Sequence, residues 1–173
     1  LFDCEGMRCA LAVCYDIRFC ELIRKLAVNG AEVLFVSAEW PMVRCDHWEA
    51  LLRARAIENQ MYVVACNRCG VTGQEVFGGN SLIVAPDGTV LAQADAEEDI
   101  ICADLDPDFV RQTRDRIQVF RDRVPSLYCG YPFHLSSQES VMARIFPSAL
   151  LAVVSLLLPP SGLAGEWNPD KSV

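Results

Sequence analysis

Apolar runs and stretches of helical periodicity alternate along most of this chain. Residues 9–13 are an unbroken apolar run, the pattern of a strand covered on both faces, and Phe19, Leu22, Ile23, Leu26 and Ala27 then recur at helical spacing. Asn29-Gly30 is a stop signal, and Glu21 and Lys25 are spaced as an i, i+4 pair within the helix. Residues 33–37 read as a second buried strand. Strand, helix and strand with a crossover of this length predict parallel pairing and a right-handed connection, which sets the ends at Cys14 and Ala38 side by side.

Trp48, Leu51, Leu52 and Ala56 give the next stretch an apolar stripe, predicting a helix that runs to about Gln60, with Asp46 and Glu49 spaced as a capping box. Residues 62–66 form a third apolar strand, ending on Asn67-Arg68. Residues 70–73 read as loop, and Gly78-Gly79 as a flexible approach to a hairpin of residues 81–85 and 90–92, turned by Pro86-Asp87-Gly88. Residues 1–6 read as a strand end or turn, and residues 100–105 as a further strand. Asp106-Pro107 supplies an N-cap and a first-turn proline for a short polar helix to about Arg116. The class is α/β, with a mixed sheet and flanking helices.

The chain has 173 residues and a net charge of −8. That length is one domain or part of one, and lysine occurs only at Lys25 and Lys171, so a nucleic-acid partner is not expected. Nine cysteines occur without a secretory signal at the start or regular spacing, which predicts free thiols and a cytoplasmic location. A chain that begins on Leu1 and enters a core strand within about ten residues reads as cut from something longer. Met142-Ala143-Arg144, an apolar segment at 145–158 and Pro159-Pro160 have the layout of a secretory signal placed at the wrong end. Helix over 145–158 spans about 21 Å, short of a ~30 Å hydrocarbon core, so a membrane span is not expected. Two regions are expected, 1–132 and an unrelated tail, 133–173.

Cys14 sits where the first strand meets its helix. A side chain at such a bend is lifted clear of the sheet edge, and N–H groups at the helix start point at whatever it attacks. Free cysteine is also a common core filler, and position alone separates Cys14 from the other cysteines. Glu39 and Trp40 fall at a neighbouring strand end, where ligands gather on parallel sheets. His47 invites a general-base role but lies in the first turn of a helix, and Glu58 fits better as a structural partner near a helix end. Cys66-x-x-Cys69 formally matches a redox or zinc half-motif, yet Cys66 closes a strand and no second ligand pair has suitable spacing.

The run Val13-Cys14-Tyr15-Asp16-Ile17-Arg18-Phe19-Cys20-Glu21, then His47-Trp48, Ala54-Arg55-Ala56-Ile57-Glu58-Asn59-Gln60 and Cys66-Asn67-Arg68-Cys69-Gly70, in that order, resembles the C-terminal half of the nitrilase (carbon–nitrogen hydrolase) superfamily, most closely its omega-amidase-like branch. The likeness runs from about Met7 to Tyr128. It implies a partial α-β-β-α sandwich and cleavage of a small omega-amide to carboxylate and ammonia through a cysteine thioester. Carried over by position, Cys14 is the nucleophile and the Tyr15 backbone N–H the oxyanion donor, with Glu39, Trp40 and Asn67 lining the substrate pocket. No cofactor or metal is implied. Residues 119–128 resemble a segment that reaches toward a partner subunit, so a homo-oligomer is expected of the full-length protein.

The family's base glutamate and oxyanion lysine lie upstream of the nucleophile strand, and this sequence begins too late to contain them. Lys25 lies about 16 Å down its helix from Cys14. The chain is therefore expected to be inactive alone. The alternative is a non-catalytic association module derived from such a hydrolase, using apolar sheet surface left exposed, and a thiol-redox or metal protein is a third reading.

Overall fold

The computed structural model describes residues 1–128. The tail expected at 133–173, with its apolar segment 145–158, lies outside them. Two units are distinguished, one spanning Leu1–Val124 and one opening at Pro125. In the second, the described residues are a single helical turn, α4, Pro125–Tyr128.

Eight strands and three helices build the first unit: β1 Phe2–Cys4, β2 Met7–Val13, α1 Cys20–Val28, β3 Val33–Ala38, α2 Cys45–Asn59, β4 Tyr62–Asn67, β5 Cys69–Thr72, β6 Glu75–Gly78, β7 Leu82–Val84, β8 Val90–Gln93 and α3 Pro107–Arg116. Six of the strands form one mixed sheet in the order β1-β2-β3-β4-β7-β8. Its centre, β2-β3-β4, is parallel, and antiparallel strands flank it on both sides. Val13 pairs with Ser37 and Ser37 with Cys66, so the carboxyl ends of the three central strands are level, as the crossover spacing predicts.

Alternation along the strands divides the core between two faces. Ala10, Ala12, Leu34, Val36, Val63 and Ala65 pack with Ile23 and Ala27 of α1 and with Trp48, Leu52 and Ala56 of α2. On the other face Met7, Cys9, Val33 and Tyr62, all near the starts of their strands, pack with Val110 and Phe109 of α3. Toward the carboxyl end of that second face Leu11 is 60% exposed.

Several local expectations are corrected. Helix does not start at Cys14: a 3₁₀ turn, Cys14–Arg18, comes first, Phe19 is extended, and α1 begins at Cys20. Glu21 forms no ion pair with Lys25; its carboxylate accepts from Cys20 Sγ at 3.3 Å. The capping box at Asp46 is absent: a 3₁₀ turn, Met42–Arg44, precedes α2, which starts two residues early with Arg44 at its N-cap, and Glu49 pairs with Arg53 instead. Residues 70–73 belong to a hairpin, β5 and β6, turned at Gly73 with φ +62°. Residues 100–105 form no strand, and Ile100 is 89% exposed. The Asp106 cap is present: its Oδ1 accepts from the Asp108 N–H at 2.8 Å, with Pro107 in the first helical position.

Candidate active site

Three features fix the bend that carries Cys14. Val13 ends β2 in extended conformation and Cys14 turns at φ +44°, a left-handed value that a non-glycine residue adopts at a cost of about 1–2 kcal/mol. Asp16 reaches back so that its Oδ2 accepts from the Val13 N–H at 2.9 Å, bracketing Cys14 between the two. Ile17, fully buried, plants the turn in the core, and its carbonyl accepts from Arg55 Nε at 2.8 Å. Arg55 is itself held by Glu58 Oε1 at 2.8 Å, and the Glu58 carbonyl accepts from Arg24 Nη2. Glu58 is thus engaged in supporting the bend from below.

Cys14 is half-buried, its thiol free, and it packs at the margin of the larger core cluster. Tyr15 is the second residue of the turn, a position whose backbone N–H has no acceptor within the helix, and its side chain is 60% exposed. The bend therefore offers a sulfur and an adjacent unspent donor at the carboxyl end of a central parallel strand.

The residues expected to line a pocket fall at the neighbouring strand ends in different states. Glu39 is exposed, and its carboxylate accepts from Arg68 Nη1 at 2.8 Å. Arg68 also donates to Thr72 Oγ1 and stacks 4.7 Å from the Phe77 ring, tying the β5–β6 hairpin to the end of β3. Trp40 is 2% exposed and Asn67 6%. The Asn67 carboxamide is fully used: Oδ1 accepts from the Trp40 N–H at 2.6 Å, while Nδ2 donates to the carbonyls of Trp40 at 3.3 Å and Gly79 at 2.8 Å. Trp40 donates from Nε1 to the Arg44 carbonyl and stacks against Trp48 at 5.5 Å.

Arg18 completes this edge. Its guanidinium lies 4.6 Å from the centre of the Trp40 ring and 5.7 Å from that of Tyr15, and it makes no hydrogen bond or ion pair among the described residues. A half-buried cation covered by aromatic faces keeps its edge donors unspent. No spacing rule singles it out in the sequence; only the fold of Trp40 against the 3₁₀ turn does.

His47 is exposed in the first turn of α2. Cys66 is exposed on β4 and Cys69 opens β5, both as free thiols. Among the described residues no group of three or more His, Cys, Asp or Glu is placed to hold a metal ion, and no helix is long and apolar enough to cross a membrane. Burial pushes the thiols of Cys9, Cys20 and Cys45 above the ordinary range.

A parallel α/β core with a strained cysteine at the carboxyl end of β2 defines a thiol-presenting α/β protein. The chain belongs to the carbon-nitrogen hydrolase family, whose model matches residues 1–115. It is 49% identical over 127 residues to the 2-oxoglutaramate amidase of Bacillus subtilis, covering 73% of this chain and 49% of that protein. The deaminated glutathione amidase of Homo sapiens is 45% identical over 126 residues, 70% of this chain and 38% of that protein. Among solved structures, the carbon-nitrogen hydrolase from Helicobacter pylori G27 matches with a TM-score of 0.69 at 28% identity, covering 72% of this chain and 49% of that one. A variant of the amidase from Nesterenkonia sp. AN1, showing covalent addition of the acetamide moiety of fluoroacetamide at its active site cysteine, matches with a TM-score of 0.64 at 31% identity, over 73% and 44% of the two chains. The chain spans about half the length of the curated relatives it matches.

Proposed function

We propose that this chain carries the nucleophile half of an amidase that cleaves a small omega-amide to carboxylate and ammonia. The observation that carries the reading is Cys14 held at φ +44° at the end of β2. The Cys14 sulfur attacks the amide carbon, forming the Sγ–C bond while the carbonyl oxygen takes up the electron pair near the Tyr15 N–H. Collapse breaks the C–N bond, ammonia leaves with a proton delivered by a general acid, and water then cleaves the thioester to release the acid and restore the thiol. Loss of one oxyanion donor costs about a hundred- to a thousandfold in rate. Arg18, with its donors unspent, suits a substrate whose far end is a carboxylate, in keeping with the 2-oxoglutaramate named for the Bacillus relative.

The base and the oxyanion cation that the family resemblance implies are not supplied by this edge. Glu39 is paired with Arg68, Glu58 with Arg55, and Lys25 sits in the last turn of α1. The proposal therefore includes their supply by sequence preceding the nucleophile strand, and inactivity of these residues alone. The assembled protein acts as a cytoplasmic homo-oligomer, with no cofactor. Glu39, Trp40 and Asn67 form the pocket wall, Glu39 facing solvent and the other two from beneath.

Mass spectrometry of the protein carrying that preceding sequence, after incubation with 2-oxoglutaramate, tests this. An acyl adduct on the peptide containing Cys14, with ammonia release, is expected; neither appearing overturns the amidase reading. The association-module reading is favoured by the 60% exposure of Leu11 on the sheet face that α3 leaves open. Tight complex formation by a protein that never acylates Cys14 would select it.

A further inference from the structure

We infer that Asn67 is a positioning residue: its carboxamide sets Trp40 as the seat on which Arg18 is held ready for the anionic end of a substrate. The inference rests on the amidase reading and adds to it the element that aims the cation. Asn67 grips both polar groups of one residue, accepting from the Trp40 N–H and donating to the Trp40 carbonyl, and its remaining donor goes to Gly79. Two loops, one after β3 and one after β6, are thereby locked by a single buried side chain at the end of β4. The Trp40 ring is fixed at its other edge by the Arg44 carbonyl and at its face by Trp48. Only the side turned to Arg18 is left for a charged neighbour, at 4.6 Å.

Chemistry restricts the residue at this place. The site needs one acceptor and two donors within one short side chain, which asparagine provides and aspartate does not. An aspartate keeps the acceptor for the Trp40 N–H but sets a carboxylate oxygen against two carbonyls, so the Trp40 peptide is released on one side. Arg18 has no carboxylate or carbonyl of the described protein to hold it. When the seat moves, the cation moves with it. A residue with a purely structural part would alter every reaction at Cys14 alike, whereas a positioning residue alters only those that use Arg18.

The test uses two alkylating labels of equal length, iodoacetylglycine, which ends in a carboxylate, and its neutral amide, iodoacetylglycinamide. Each forms an Sγ–C bond at a thiol and expels iodide, the thiol proton passing to buffer, so no turnover is needed. Rates at Cys14 are read by peptide mapping, and the quantity of interest is the ratio of charged to neutral label. In the unaltered chain the ratio at Cys14 is expected to exceed that at exposed Cys66 by about tenfold, the worth of one charge-assisted contact. Arg18→Met removes that excess. Asn67→Ala and the isosteric Asn67→Asp are both expected to remove most of it as well, with Arg18 still present.

An excess that persists in the Asn67 variants, or a parallel fall in both labels with the ratio intact, overturns the positioning role while leaving the amidase reading untouched. Failure of both variants to fold confines Asn67 to the core and overturns it too. If the ratio at Cys14 in the unaltered chain does not exceed that at Cys66, Arg18 does not receive the anionic end and this inference falls, while the amidase reading still rests on the acyl adduct sought in the protein carrying the preceding sequence.

Discussion

Arg55 Nε, in the C-terminal half of α2, donates to the Ile17 carbonyl at 2.8 Å and so fastens the turn carrying Cys14 to the longest helix of the described chain. The arginine is buried, and its charge is answered by Glu58 three residues on. Presentation of the thiol therefore depends on a side chain far from it in sequence.

Replacing Arg55 by leucine is expected to cost about 2 kcal/mol, since it orphans a buried carbonyl and strands the Glu58 carboxylate. Arg55→Leu with Glu58→Leu is expected to recover part of that loss, because the stranded charge is gone. Urea unfolding checks both. Equal stability of the single and double variants would show that Glu58 is not stranded.

The left-handed backbone at Cys14 predicts an inversion of the usual order of small residues. Cys14→Gly is expected to be more stable than Cys14→Ala by about 1 kcal/mol, even though glycine enlarges the freedom of the unfolded chain. Thermal unfolding of the two measures it. Alanine proving the more stable would mean that the bend relaxes once the sulfur is removed.

Gly79 and Gly73 have nearly the same backbone angle, φ +57° and +62°, in different surroundings. A Cβ on Gly79 would stand 2.6 Å from the Asp95 carbonyl oxygen, whereas one on Gly73 meets nothing within 4 Å. Gly73→Ala is expected to cost about 1 kcal/mol from the backbone alone. Gly79→Ala should cost about 3 kcal/mol, because a backbone atom must shift. Matching midpoints for the two would contradict the close approach.

Alkaline solution should weaken the fold. Cys9 is held above the ordinary thiol range first by burial and then by the charges of Cys4, Asp3 and Glu32 nearby, and burial likewise raises Cys45 and Tyr62. The native state keeps these protons after the unfolded chain has released them. The associated stability is whole below the ordinary thiol value of about 8.5 and drains away as pH climbs through the raised values. A fall in Tm is expected above that point, and a smaller one in Cys9→Ala. Identical falls would place the sensitivity elsewhere.

Much of this architecture is written in local pattern. The apolar runs at residues 9–13, 33–37 and 62–66 become the three parallel strands, and the bend at Cys14 falls where the first run stops. Asp106-Pro107 caps its helix as its residue types require. What local pattern misreads depends on distant partners. Residues 100–105 alternate in burial as a strand does, yet they pair with no strand of the described residues. The hairpin of β5 and β6 hides behind glycines that read as loop, and Phe77 on it bridges back to the distant Pro41. The state of Asn67 and Trp40 was equally illegible: nothing in Cys66-Asn67-Arg68 says that the amide will close on a residue 27 positions earlier.

α3 is tied to the starts of the strands, with Arg114 donating to the carbonyls of Gln60 and Ala31, and Gln60 Nε2 donating to those of Thr113 and Ile117. These fastenings sit at the opposite pole of the sheet from Cys14. Loops around the thiol can thus be exchanged by evolution, or by a protein engineer, without loosening the clasp that keeps the strands in line. Diversity of chemistry at one pole is underwritten by monotony at the other.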